Sequence, residues 1–215
     1  MSQSPSRQLL VEGPDDFHLA CGIFKRRGLP EAFDVVERNG FPDLLRYAEV
    51  SLRNNTALTH LGMIVDADSD HAKRWREVRK RLLSVGVLDL PENAPNTGAI
   101  ATTATGVRVG VWMLPDNLSP GVLEHFFRSL IPHDDVLLAH AQASIDAIPN
   151  GHTLFKPQHR IKAEVQTWLA WREDPGTPMG AAIGKGYVNP EHPGVDALLA
   201  WLRALFEIEP APVPA

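Results

Sequence analysis

Acidic side chains close three apolar runs of this chain in the same manner. Val11 is followed by Glu12, Val65 by Asp66, and Leu114, after one proline, by Asp116. Asp16 lies one helical turn beyond Glu12, and Glu124 lies further along from Asp116. Asp66 and Asp68 are two residues apart, so in an extended segment they point the same way. Each acid has an ordinary structural use. Asp15 and Asp16 suit a helix N-terminus, Asp66 and Asp68 suit a turn, and Asp70 suits a helix cap. Those uses do not explain why acid ends successive buried runs. Carboxylates gathered in one place repel unless a cation neutralises them. An all-oxygen ligand set suits a hard divalent cation, Mg²⁺ or Mn²⁺. Such a cation neutralises a phosphate, activates a water and stabilises a leaving oxygen. The candidate ligands are Glu12, Asp16, Asp66, Asp68, Asp116 and Glu124.

The elements that must bring these acids together are legible from periodicity. Short apolar runs at 8–11, 33–36 and 61–65 read as buried strands. Residues 100–103 and 107–114 read as a hairpin around Thr105-Gly106. Helices are expected near 14–27, at 41–52, 71–83 and 121–130, at roughly 134–147, and at 161–171 and 195–206. Pro14 suits the first turn of the first helix. The helix at 71–83 has a buried stripe of Ala72, Trp75, Val78 and Leu82, and Trp168, Trp171 and Trp201 serve as core anchors. Gly180 to Gly186 resembles a phosphate loop only superficially, because the spacing is one residue short and no Ser or Thr follows Lys185, so it reads as a loop. Strand and helix alternate through the first half, and the strands are continuously apolar. That predicts an α/β fold with a mainly parallel sheet covered on both faces. In such a sheet the site lies outside the carboxyl ends of the strands, where these acids fall. Residues 1–150 form the expected core. Residues 151–215 form a C-terminal helical extension packed on the same core, with an extended tail at 209–215.

Composition narrows the function classes. The chain has 215 residues, 21 Lys plus Arg against 26 Asp plus Glu, and a formal charge of −5, so it does not coat nucleic acid through bulk charge. A single cysteine, Cys21, excludes a disulfide framework and a multi-thiolate zinc site. No apolar leader and no membrane-spanning run is present, so a cytoplasmic location is expected. One helix is locally basic, with Lys73, Arg74, Arg76, Arg79, Lys80 and Arg81 leaving the acidic edge directly after Asp68. It is either a solvated face or a guide for a polyanion. Lys73, Arg74, Arg76, Lys80 and Arg81 are the candidate nucleic-acid contacts.

Val11-Glu12-Gly13-Pro14-Asp15-Asp16 after a first strand and Ile64-Val65-Asp66-Ala67-Asp68 after a third resemble the Toprim domain of topoisomerases, DnaG-type primases and OLD-family nucleases. The Glu-Gly-x-x-Asp form, with Leu114-Pro115-Asp116 followed by Leu123-Glu124, is most similar to the OLD-like branch, and the whole chain resembles a compact bacterial Toprim-only family. The motifs cover about residues 8–130. The resemblance implies a Toprim-like Rossmannoid fold. It implies that Glu12 is a general acid/base or metal ligand and that Asp16 is the second acid of the OLD-like form. Asp66 and Asp68 match the metal-binding aspartate pair, Glu124 a further ligand, and Asp116 a weaker one. A downstream lysine near the scissile phosphate is also implied. Lys162 is the first candidate and Lys156 the second. OLD-family proteins carry an ATPase domain ahead of the Toprim and the sequence here does not, which makes an ATPase a candidate partner.

The expected function is therefore Mg²⁺- or Mn²⁺-dependent phosphodiester chemistry, foremost as a nuclease on DNA or RNA. The alternatives are a non-hydrolytic metal- and phosphate-binding module of a defence or repair complex, and phosphotransfer on a small phosphorylated substrate.

Overall fold

A computed structural model describes residues 6–209. Residues 210–215 of the expected tail lie outside the described residues. A six-stranded sheet organises the chain, in the order β2-β1-β3-β6-β5-β4. β1 (Arg7–Val11), β2 (Asp34–Glu37), β3 (His60–Asp66) and β6 (Arg108–Leu114) run parallel. β5 (Ala99–Thr103) returns antiparallel beside β6 as the expected hairpin, and the two-residue β4 (Val87–Leu88) extends that edge. β4 is too short to carry a periodic signal. The mainly parallel α/β class follows from the sequence pattern as expected.

The continuous apolar strands are explained by two cores. Leu9, Val11, Ile64, Trp112 and Leu114 face one core. Leu10, Met63, Val65, Val111 and Met113 face the other. Neighbouring residues of a strand point to opposite faces, so a strand buried on both sides has no polar alternation. The first face is covered by α1 (Pro14–Arg26), α4 (Leu123–Ser129), α6 (Arg160–Ala170), α7 (Met179–Gly184) and α8 (Pro193–Phe206). The second is covered by α2 (Phe41–Asn54) and α3 (His71–Leu83). α5 (Val136–Asp146) packs beside α6, and a 3₁₀ turn, Pro157–His159, leads into α6.

Two glycines admit α8 against the strands. A Cβ at Gly110 would lie 2.6 Å from a Leu205 methyl, and one at Gly62 would lie 2.8 Å from a Leu9 methyl and 3.0 Å from Leu205. Three expectations are corrected. Residues around Gly180 form a helix rather than a loop, because glycine lets α7 approach α1; a Cβ at Gly180 would stand 2.4 Å from that of His18. Trp171 is half exposed and packs on His140 at 5.0 Å, while Trp168 and Trp201 are buried anchors. Ala72 is exposed, and α3 buries Trp75, Val78 and Leu82 alone. Among the described residues no helix is long and apolar enough to cross a membrane.

Candidate functional site

The register of the sheet brings the acids to one edge. β1, β3 and β6 are neighbours with their carboxyl ends aligned, Asp66 pairing with Leu114 across β3 and β6. Glu12 leaves β1 and enters α1 through Gly13, which precedes Pro14 at the helix start. Its carboxylate accepts the Asp66 N–H at 2.9 Å, so one acid ties the ends of two strands together. Asp16 sits in the first turn of α1 and Glu124 in the first turn of α4. Lys162, on α6, reaches Glu124 with its Nζ 2.9 Å from Oε1.

Electrostatics show that Glu12, Asp16, Asp66 and Glu124 share one field. Burial pushes the Asp66 carboxyl up to about 8, and the charges of Glu12, Asp16 and Glu124 push in the same direction against the Leu123 N–H. Burial, then Glu12, Glu124 and Asp15, push Asp16 up to about 7. Glu12 is raised by burial, which the Asp66 N–H, the Arg74 charge and the Phe41 N–H only partly offset. For Lys162, burial acts downward, but the bond to Glu124 and the charges of Glu124, Asp66 and Asp15 prevail and hold the ammonium above its ordinary value. Lys162 is thus a fixed cation at neutral pH and not a base.

The site has oxygens to offer a cation. Asp66 Oδ1 and Glu124 Oε2 are buried and accept no hydrogen bond. A buried polar atom without a partner is costly, and two such carboxylate oxygens fit a hard cation. Among the described residues, no three acid, imidazole or thiol groups stand as a ready-made ligand set.

The structure does not gather every candidate. Asp68 has a left-handed backbone, φ 53°, so it does not continue the extended strand, and its side chain turns out to solvent to pair with Arg74. Asp68 nevertheless lines the same groove as Asp66. Asp116 is occupied as a turn former. It accepts the N–H groups of Leu118 and Ser119 at 3.0 and 2.7 Å and the Ser119 hydroxyl at 2.9 Å. Burial raises its carboxyl, but these bonds and the nearby His71 bring it below the ordinary value. Lys156 stands exposed before the 3₁₀ turn, while Lys162 meets the acids. On α3, Arg74 also covers the Phe41 ring at 3.7 Å, and Arg81 pairs with Glu49 at 2.7 Å. Lys73, Arg76 and Lys80 remain exposed. Lys185 pairs with Asp174, not with the site.

A groove of about 1100 Å³ opens beside the acids and includes Asp66, His125, Arg128, Arg160, Lys162 and Glu164 in its lining. Arg128, Arg160 and Glu164 escaped sequence reasoning. Glu124 with Arg128 and Arg160 with Glu164 are four residues apart on their helices, a spacing that ordinarily marks solvated helix pairs.

Comparison with known proteins gives one family. The family described as "Protein of unknown function (DUF3226)" matches residues 6–207. No curated protein and no solved structure matches the chain.

Proposed function

The chain belongs to that DUF3226 family, whose description assigns no activity, and from the site itself we propose that it performs Mg²⁺- or Mn²⁺-dependent phosphodiester chemistry as a Toprim-type nuclease on nucleic acid. One observation carries the reading. Near the carboxyl edge of a parallel sheet the buried carboxyls of Asp66 and Asp16 feel the charges of Glu12 and Glu124, Asp66 and Glu124 keep buried oxygens that lack partners, and Lys162 pairs with Glu124.

Asp66 and Glu124 are the residues that would hold the cation, with Asp16 beside them. When bound, the cation supplies charge neutralisation at the phosphate and lowers the pKa of an attacking water. The residues of the chain do the rest. Lys162 faces the non-bridging oxygens of the phosphate as a permanent positive charge. Glu12, at the end of β1 and bonded to the Asp66 N–H, takes the proton from water. In the reaction the water oxygen bonds to phosphorus, the bond from phosphorus to the leaving sugar oxygen breaks, and that oxygen leaves with a proton from solvent.

The test is cleavage of plasmid and of single-stranded oligonucleotides in Mn²⁺ by wild type, Asp66→Ala and Asp68→Ala. Asp66→Ala is expected to lose about 10³-fold or more in rate, and Asp68→Ala to stay within about tenfold, since it lies outside the cluster. Equal cleavage by wild type and Asp66→Ala overturns the proposal.

A further inference from the structure

The groove beside the acids has a second charged centre. Glu164 is buried, at 6% exposure. Its Oε1 accepts the Arg160 Nε at 2.8 Å, its Oε2 accepts the Gln142 amide at 3.3 Å, and the Arg128 Nε lies 3.4 Å from Oε2. Two guanidinium groups therefore flank one buried carboxylate, and the charge that balances the second of them is the exposed carboxylate of Asp146. The side chains of Arg128 and Arg160 are 39% and 41% exposed, so each presents part of its fork to the groove. The Arg128 Nε is buried and makes no hydrogen bond. Asp146, 2.8 Å from Arg160, is the one other acid paired there among the described residues. It is 65% exposed, and a surface pair of that kind is weak and readily exchanged.

Position gives this centre its meaning. Arg128 stands one turn beyond Glu124 on α4, a rise of about 6 Å, on the order of the step between successive phosphates of a strand. Apart from the histidines, no aromatic ring lines the groove. Stacking on bases is therefore not offered, and charge-assisted bonds to phosphates are.

We propose that Arg128 and Arg160, oriented by Glu164, form a phosphate subsite that grips the sugar–phosphate backbone of a nucleic-acid strand entering between α4 and α6. The inference rests on the phosphodiester reading of the acids and selects a polymer over a small phosphorylated molecule. It also moves the track away from α3, where Arg74, Arg79 and Arg81 are held by Asp68, by the carbonyls of Leu90 and Pro91, and by Glu49. The groove along Arg76 and Lys80, about 760 Å³, does not include the acids.

Fluorescence anisotropy with labelled single-stranded DNA and RNA in EDTA tests this without any hydrolysis. Arg160→Gln is one variant. Arg128→Gln combined with Glu164→Gln is the second; it removes both charges of the buried pair and leaves the net charge unchanged. Thermal melts establish that each is folded, and the double variant carries the test if Arg160→Gln is not. Each is expected to bind about tenfold more weakly, with a salt slope smaller by about one. The triple variant Lys73→Ala, Arg76→Ala, Lys80→Ala is expected to stay within about threefold. Wild-type affinity and slope in the folded groove variants overturn the subsite, as does loss of binding in the α3 variant alone. Cleavage in Mn²⁺ is scored separately, so a subsite that fails while wild type still cleaves leaves the chemistry of the acids standing.

Discussion

Asp66→Asn is expected to raise the melting temperature of the cation-free protein at pH 8 while abolishing its chemistry. An unfolded aspartate ionises near 3.8, whereas burial and the neighbouring acids keep the Asp66 carboxyl protonated up to about 8. Between those values the folded state binds more protons than the unfolded state, so stability falls as pH rises and levels off above about 8. Asp16 acts in the same direction, up to about 7. Asparagine carries no charge and removes the contribution of Asp66. A gain of about 1–2 kcal/mol at pH 8 corresponds to about 2–8 °C in a chain of this size. The gain vanishes below about pH 4, where both states are protonated. Mn²⁺ is expected to stabilise wild type at pH 8 and to leave Asp66→Asn almost unmoved. Melting curves of both proteins at acid and alkaline pH, with and without Mn²⁺, check each element. A lower melting temperature for Asp66→Asn at pH 8 contradicts the assignment.

Lys162→Met is expected to separate holding the cation from contacting the phosphate. Its ammonium is half exposed and lies 2.9 Å from a carboxylate that is 6% exposed. Without it the cluster becomes more negative, so Mn²⁺ affinity stays equal or increases. Turnover is expected to fall about 10²-fold, the usual cost of removing one group that stabilises developing charge. Single-turnover cleavage and Mn²⁺ binding, measured on the same preparation, give the two numbers. A parallel loss of affinity and turnover would mean that Lys162 serves only to hold Glu124.

Much of this site is legible from residue order. Apolar runs ending in acid fix where Glu12 and Asp66 stand, because a strand buried on both faces can carry a charge only at its end. Glu124 is legible as an acid following the fourth parallel strand, while the resemblance to OLD-like nucleases implies a downstream lysine without choosing between Lys162 and Lys156, and it is Lys162 whose ammonium reaches Glu124. What misleads is local conformation. Asp68 is two residues from Asp66, but a left-handed backbone turns it toward Arg74. Asp116 ends its run as Glu12 does, yet the turn after β6 consumes both of its oxygens. Arg128 and Arg160 are invisible for a different reason. Arg160 sits in an i,i+4 pair with Glu164 on its own helix, Arg128 is only spaced four residues from Glu124, and it is the packing of α4 against α6 that brings Arg128 to Glu164.

The net charge of −5 says little about the partner for the same reason. Acids concentrate at the sheet edge and cations line the groove beside it, so the local field differs from the sum.

Calorimetric titration of the metal-free protein with Mn²⁺ near pH 7, repeated in buffers of different ionisation enthalpy, tests the acid cluster most directly. Wild type is expected to bind Mn²⁺ with release of about one proton or more, because Asp66 and Asp16 hold protons that a cation must displace, and Asp66→Asn is expected to lose both the affinity and the proton release. Absence of Mn²⁺ binding by wild type, or undiminished binding by Asp66→Asn, would contradict the assignment.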